Sequence, residues 1–383
     1  MDNEILKKLR NYHGNAYEWM NKQKQKWFIR KSYISSKAHL KENQNEKETY
    51  PVDFVVTWVD GNDPVWQADR ARYILDESEN EDNSTARFRE WGTFKYWFRS
   101  VEKNASWVNK VYLVTYGHVP EWLDINSEKL RIINHKDFIP EEYLPTFSSH
   151  TIEWNLWRIP GLSEHFVYFN DDTFLMNESC KEDFFCNGYP KYAATAQPIR
   201  SYRKMGAHRH ARLNSYGLIN SYFDIRKCME KNPEKWFSAC YGDHIKYNKL
   251  AYEDGYISGM FFSHVGVPFR KSAMESFYDH FSDRVHETCL NKFRTNDDIM
   301  HQAVQMWEMF NGTFEPVGPS HYGTFISPTI NNIEETIRRI NGNYLMVCVN
   351  DHLGIEDADF DYIKEKVSTA YDALFPEKSS FEL

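Results

Sequence analysis

Asn170, Asp171 and Asp172 stand together directly behind the apolar run Val167–Phe169. An amide and two adjacent carboxylates can hold a divalent cation, and such a cation can clamp the phosphates of a nucleotide. The same triplet can also simply close a strand as an Asx-type turn. The pattern recurs, however. Val52 to Val59 ends in Asp60-Gly61-Asn62-Asp63-Pro64, and Leu345 to Val349 ends in Asn350-Asp351. Each is a strand-like run closed by Asp or Asn. Gly61 permits close approach of backbone to a ligand.

Candidate cations lie elsewhere. Arg87 and Arg89 precede a helical face of Phe94, Trp97, Phe98 and Val101. They suit bidentate phosphate contact, or form a solvated pair at a helix start. From Tyr192 to Phe223 there is no acidic residue, while Arg200, Arg203, Lys204, His208, Arg209, His210 and Arg212 fall in that stretch. This local inversion of charge suits a diphosphate or an anionic polymer; a solvated basic loop is the competing reading. His264 sits in the turn-rich segment Ser263–Lys271. Arg294 precedes Asn296, Asp297 and Asp298, which read as the cap and first-turn acids of a helix through Ile299, Ala303, Met306, Trp307 and Phe310. His150 and Glu153 read as cap and surface residues of a helix opening at Ser148 or Ser149.

These groups need a scaffold to bring them together. A strand from Val52, a helix through Phe94–Val101 and a strand Val111–Thr115 make a βαβ unit, hence a parallel sheet. Leu130–Asn134 adds a further strand, and Ile363, Val367, Ala370 and Leu374 mark a closing helix. Open α/β sheets bind ligands beyond the carboxyl ends of their strands, so Asp60 and Asp171 share an edge if their strands are parallel. The expected organisation is a basic helical extension over 1–49, an α/β core over 50–190, a basic helical insertion over 191–255 and a C-terminal part over 256–383. Residues 76–86 are acidic and Ser/Asn-rich, as a loop would be.

Bulk properties narrow the function. The chain has 383 residues, a net charge of -9 and a pI of about 5.9, which argue against general nucleic-acid binding but not against a local basic site. Six cysteines without a Cys-x-x-Cys pair read as reduced thiols in the cytoplasm. No apolar leader and no apolar run of spanning length is visible, so work at a membrane would be done from its surface. Residues 1–49 hold eleven Lys/Arg against six Asp/Glu, with Ile5, Leu6, Leu9 and Tyr12 at helical spacing. That segment reads as an ordinary helix packed on the domain, with a surface-binding helix as the alternative.

Four segments, in order, resemble the Stealth proteins: DFVVTWVDGNDP at 53–64; RFREWGTFKYWFRSVEK, LPTFSSHTIE and RIPGLSEHFVYFNDD within 87–175; SHVGVPFRKS and FRTNDDIMHQA within 263–303; and MVCVND ending at Asp351. Stealth proteins are phosphotransferases that move a sugar 1-phosphate from a nucleotide sugar. The resemblance implies a Rossmann-like nucleotide-sugar fold similar to glycosyltransferase type A, with a mostly parallel sheet flanked by helices. It brings Asp60, Asp171, Asp172, His264, Arg294, Asn350 and Asp351 to one site. It implies a UDP-sugar donor, an oligo- or polysaccharide acceptor, and Mg²⁺ or Mn²⁺ held by Asp171, Asp172, Asn350 and Asp351. His264 is then the first choice of general base and Asp172 the second, with Arg294 and Asp60 completing the catalytic set. Trp58, Gly61, Arg87, Arg89, Arg209 and Arg212 are the expected substrate-binding residues. The expected product is a phosphodiester in capsular or cell-surface polysaccharide, made in the cytoplasm at the inner face of the membrane beside other polysaccharide-synthesis enzymes. A metal-dependent glycosyltransferase forming a glycosidic bond is the rival.

Overall fold

A computed structural model describes residues 3–43, 47–74, 89–200, 203, 205–351 and 355–383. The segment 76–86 and Arg87 lie outside them, as do the side chains of residues 1–17. Eleven strands are described: β1 (Val52–Thr57), β2 (Val111–Thr115), β3 (Leu130–Asn134), β4 (His165–Asn170), β5 (Thr173–Leu175), β6 (Phe185–Cys186), β7 (Tyr189–Tyr192), β8 (Val267–Arg270), β9 (Glu315–Pro316), β10 (Gly323–Ile326) and β11 (Met346–Val349).

The main sheet runs β3-β2-β1-β4-β8. Its first four strands are parallel, and β8 pairs antiparallel with β4. Thr57 is level with both Val114 and Asn170, so β1, β2 and β4 end together. Asp53 helps set that level from below. Its buried carboxylate accepts from Asn109 Nδ2 (2.8 Å), the Lys110 N–H (3.1 Å) and the Ser163 N–H (2.7 Å), tying the start of β1 to the segments that lead into β2 and β4.

Alternate residues of β1 enter opposite cores, as strand geometry requires. Val55 joins Trp154, Phe166, Phe277 and Met306 on one face. Phe54 and Val56 join Trp97, Phe98, Phe169 and Tyr371 on the other. Helices Ser149–Asn155, Lys271–Leu290 and Gln302–Asn311 cover the first face, and Phe94–Asn104 and Asp357–Leu374 the second. Each fully buried aromatic contributes roughly 2–3 kcal/mol. Helices Ala207–Tyr222, Ile225–Lys231, Pro233–Trp236 and Ile245–Asp254 form the insertion between β7 and β8.

Beyond β4 the chain passes through Asp171 and Asp172 into β5. That short strand pairs antiparallel with β11, Thr173 opposite Cys348, and β11 runs parallel to β10. The ends of β4 and β11 therefore meet. β6, β7 and β9 make a third small sheet.

Two local readings change. Ser263–Lys271 is not all turn, since it contains β8; Pro268 is tolerated because β8 is an edge strand with an open side. The helix after Arg294 begins at Gln302, so Asn296–Asp298 are not its cap; Asp298 is buried instead. The N-terminal helix runs from Asn3 to Glu42, inside the segment expected to be helical. Its inner face buries Ile29, Ser32 and Ser36, and Phe28 stacks on Tyr252 at 5.7 Å. His39 Nε2 and Asn43 Nδ2 meet Glu315 Oε2 at 2.7 and 2.6 Å, and Lys235 meets Glu315 Oε1 at 3.0 Å. The six cysteines are free thiols. Among the described residues no helix is long and apolar enough to cross a membrane.

Candidate active site

The carboxyl end of β4 carries the densest chemistry. Tyr168 Oη lies within hydrogen-bond reach of Asn170 Oδ1 (2.9 Å), Thr57 Oγ1 (3.1 Å) and Glu153 Oε1 (3.3 Å), which joins the ends of β4 and β1. Asn350 Nδ2 donates to Asp172 Oδ2 (2.7 Å) and the Val349 N–H donates to the Asp172 carbonyl (2.9 Å). The tail of β11 thus fixes Asp172 from behind. Burial drives the Asp171 carboxyl well above its ordinary range, and the charges of Asp172 and Glu90 add to the shift. A crowd of carboxylates with so little compensation is what a divalent cation relieves.

Asp172, His264 and Cys348 place ligand atoms within 4.8 Å of one another. Burial, then the Asp172 charge, pushes the Cys348 thiol well above its usual value, so it stays protonated. Mg²⁺ and Mn²⁺ prefer oxygen donors to thiols. The residues that fit such an ion are therefore Asp171 and Asp172, with His264 at the margin. Asn350 orients Asp172. Asp351 is engaged elsewhere: Arg89 Nε and Nη2 donate to its two oxygens at 3.1 and 3.3 Å, and Trp91 Nε1 approaches at 3.4 Å. Arg89 and Asp351, expected on phosphate and metal, meet each other here.

A cluster of histidines and arginines reaches these acids through His264. His264 is exposed, its ring against the edge of Phe325 at 5.0 Å. Burial first, then the charges of Arg294, His150, Arg212 and His264, hold the His208 imidazole well below its ordinary value. Those five side chains thus converge, although they come from four distant segments. Arg294 Nη2 donates to Ser149 Oγ (2.6 Å). Arg212 donates to Tyr216 Oη (3.0 Å) and to the Met260 carbonyl (3.1 Å). His150 and Glu153, read above as surface residues, are buried. His150 Nδ1 pairs with Asp298 Oδ2 and Glu153 Oε2 with His301 Nδ1, both at 2.8 Å. Although burial alone would raise it, His301, His150 and Arg294 bring the Glu153 carboxyl down to about 2.

Asp60 and Gly61 lie at the end of β1, beside β4. The Asp60 N–H donates to His118 Nε2 (2.8 Å), and Asp60 Oδ1 accepts from the Asn62 N–H (2.8 Å). Asp63 caps the helix Pro64–Ala71 by accepting from the Trp66 N–H. Burial lowers His118 despite Asp63 and Asp60, and a neutral ring is what accepting at Nε2 requires. Trp58 is a core residue, stacked on Phe94 at 5.5 Å and 7°, so little of its ring is left for a sugar. Arg209 donates to the Arg200 carbonyl (3.4 Å). Sequence reasoning missed His118, Glu90, Tyr168 and the inward roles of His150 and His208. His118 follows β2 at the same sheet edge, and His208 lies in the acid-free stretch; both signals were present.

The fold is α/β, with an acidic strand end and a His/Arg cluster that reaches it through His264. Conserved region 1 of the Stealth proteins matches residues 50–77, and conserved region 2 matches residues 87–192. The chain is 38% identical over 342 residues to the capsular polysaccharide phosphotransferase WcwK of Streptococcus pneumoniae, covering 88% of this chain and 99% of that one. It is 39% identical over 341 residues to the receptor polysaccharide phosphotransferase WefC of Streptococcus oralis, with 87% and 99% covered. The exopolysaccharide phosphotransferase cps2G of Lactiplantibacillus plantarum is 36% identical over 337 residues, with 87% and 96% covered. The chain belongs to the Stealth family and is a phosphotransferase. Among solved structures, an active-site mutant of LgtC aligns over 83% of this chain and 95% of that one, at 10% identity and a TM-score of 0.35; so weak a likeness carries no argument.

Proposed function

We propose that the protein moves a hexose or N-acetylhexosamine 1-phosphate from a UDP-sugar to a sugar hydroxyl of a capsular or cell-surface polysaccharide. The acceptor oxygen attacks the β-phosphorus of the donor, the bond to UMP breaks, and a phosphodiester forms. The observation that carries the reading is the convergence of Arg294, Arg212, His150 and His264 around His208, with His264 also within reach of Asp172. Phosphoryl transfer demands little covalent chemistry from a protein; it demands alignment and positive charge around the phosphorus oxygens. Arg294 and Arg212 supply fixed charge, and Ser149, Tyr216 and the Met260 carbonyl hold them in place. His264 accepts the hydroxyl proton, a role suited to an exposed imidazole beside a carboxylate. Asp172 is tied to Asn350 and Thr173, which favours an orienting role for it. Mg²⁺ or Mn²⁺, held by Asp171 and Asp172, would offset the charge of the diphosphate. The Asp60–Gly61 turn lies against the nucleotide, and the inserted helices form the acceptor side. We also propose cytoplasmic work at the inner membrane face, beside other enzymes of polysaccharide assembly.

The test is product identity. The protein is incubated with a panel of UDP-sugars, Mg²⁺ and short surface-glycan fragments, and followed by phosphorus NMR. UMP with a new diester resonance is expected. UDP with a glycosidic product would overturn the reading. His264→Ala is expected to lower transfer by roughly two to four orders of magnitude, the usual worth of a general base; transfer near the parent rate would remove His264 from that role.

A further inference from the structure

The N-terminal helix has a second apolar face. Its inner face is spent on the body of the protein through Ile29, Ser32, Ser36 and Phe28. On the outside stand Trp19 (63% exposed), Met20 (49%), Trp27 (65%) and Ile34 (60%). Met20, Trp27 and Ile34 recur every seven residues, so they form one stripe along the helix. Such a set of large side chains on one exposed helix asks for a partner.

The charge on this helix says which partner. From Trp19 to Lys41 there are seven Lys/Arg and no Asp or Glu, in a protein whose net charge is -9. Lys31 Nζ lies over the Trp27 ring at 5.5 Å, and Lys37 Nζ over Tyr33 at 5.2 Å, so cations flank the apolar stripe. We propose that this outer face docks the protein on an anionic phospholipid surface, with the helix lying in the plane of the interface. Trp27 and Ile34 enter the headgroup boundary while the lysine stems run along it and keep their ammonium groups on the lipid phosphates. The occupant is not a second copy of the chain, because two such faces would set like charges against each other. The acidic remainder of the molecule is repelled by the same surface, which orients it helix-down. The two apolar faces oppose one another, so the sequence of this helix shows little one-sidedness even though each face has its own use. The inference concerns attachment and does not depend on which bond the enzyme makes.

Full-length protein is sedimented with vesicles of phosphatidylcholine alone or of an equal mixture with phosphatidylglycerol. Binding to the mixed vesicles, absent from the neutral ones and released by salt, is expected. The variant K24Q/K26Q/R30Q/K31Q should lose roughly a hundredfold or more in vesicle affinity, and W27Q/I34Q roughly tenfold or more. Both should keep the parent thermal melt and the parent rate on a soluble acceptor, since the changes lie on the outer face. The proposal is overturned if the parent protein ignores the mixed vesicles, or if both variants bind them undiminished. It is also overturned if light scattering finds a dimer that W27Q/I34Q dissolves, which would assign the face to another copy of the chain.

Discussion

Asp171 pays in stability for its position. Its carboxyl is raised by burial and by Asp172 and Glu90. The unfolded chain ionises this group near pH 3.9. Above that pH the fold must either keep a proton on it or bury a charge, so Asp171 destabilises the protein increasingly as pH rises from 4 towards 7. Asp171→Asn should therefore raise the Tm of metal-free protein by a few degrees at pH 7 and much less at pH 4, while cutting transfer by roughly a hundredfold or more. Mn²⁺ should raise the parent Tm and narrow the gap. Scanning calorimetry of both proteins at the two pH values, with and without the ion, checks this. The Arg89–Asp351 pair is the opposite case, because each partner satisfies the other. Arg89→Ala should cost about 2 kcal/mol, the worth of hydrogen bonds to a charged group. Adding Asp351→Ala should cost less than the two single changes together, as a double-mutant cycle by urea unfolding would show.

Gly266 is the tight point among the elements of the site. A Cβ there would stand 2.5 Å from Phe169 Cε1 and 2.9 Å from Met346 Sδ, so the segment just after His264 lies directly on β4 and β11. Gly266→Ala should cost about 1–3 kcal/mol, typical of overpacking, and should lower transfer as well by shifting His264 from Asp172. Denaturant unfolding and a rate measurement on the folded variant check both parts. The elements differ in how far they could be read beforehand. β2 and β3 have the predicted bounds: β2 is buried and parallel and writes itself as an unbroken β-branched and aromatic run, while β3, at the sheet edge, keeps a short apolar core of Leu130, Ile132 and Ile133. β5 and β8 have only three or four residues, and each is a strand by virtue of its partner, β11 or β4. Their pairing is a long-range fact with no local trace. His150 and Glu153 were misread for the same reason: a polar residue in the first turn of a helix looks solvated until Asp298 and His301, nearly 150 residues away, are found against it. The strand-end acids were legible, but the company they keep was legible only through the family resemblance.

At the scale of the whole molecule, the described part of the N-terminal helix is held by its buried face and, at its C-terminal end, by an ionic cluster on Glu315. The Glu315 hydrogen bond holds His39 above its ordinary value, against burial and the Lys235 charge; Glu234 adds to it. A raised histidine stabilises the docked helix fully below pH 6.5 and loses that contribution as pH rises through the folded value. Amide exchange in residues 28–36, corrected for the base-catalysed rate, should accelerate several-fold between pH 6 and 9, and His39→Gln should remove the change. Asn43 keeps its own bond to Glu315, and Ser36 and Ile29 stay buried, so the helix loosens without leaving. A last consequence follows from the meeting of β4 and β11. Asn350 and the Val349 N–H steady Asp172, which stands nearly 180 residues earlier in the chain. A polypeptide still emerging from the ribosome cannot assemble this arrangement until Asn350 has been synthesised and released from the exit tunnel. Half-made copies are therefore idle, and no nucleotide sugar is spent on them.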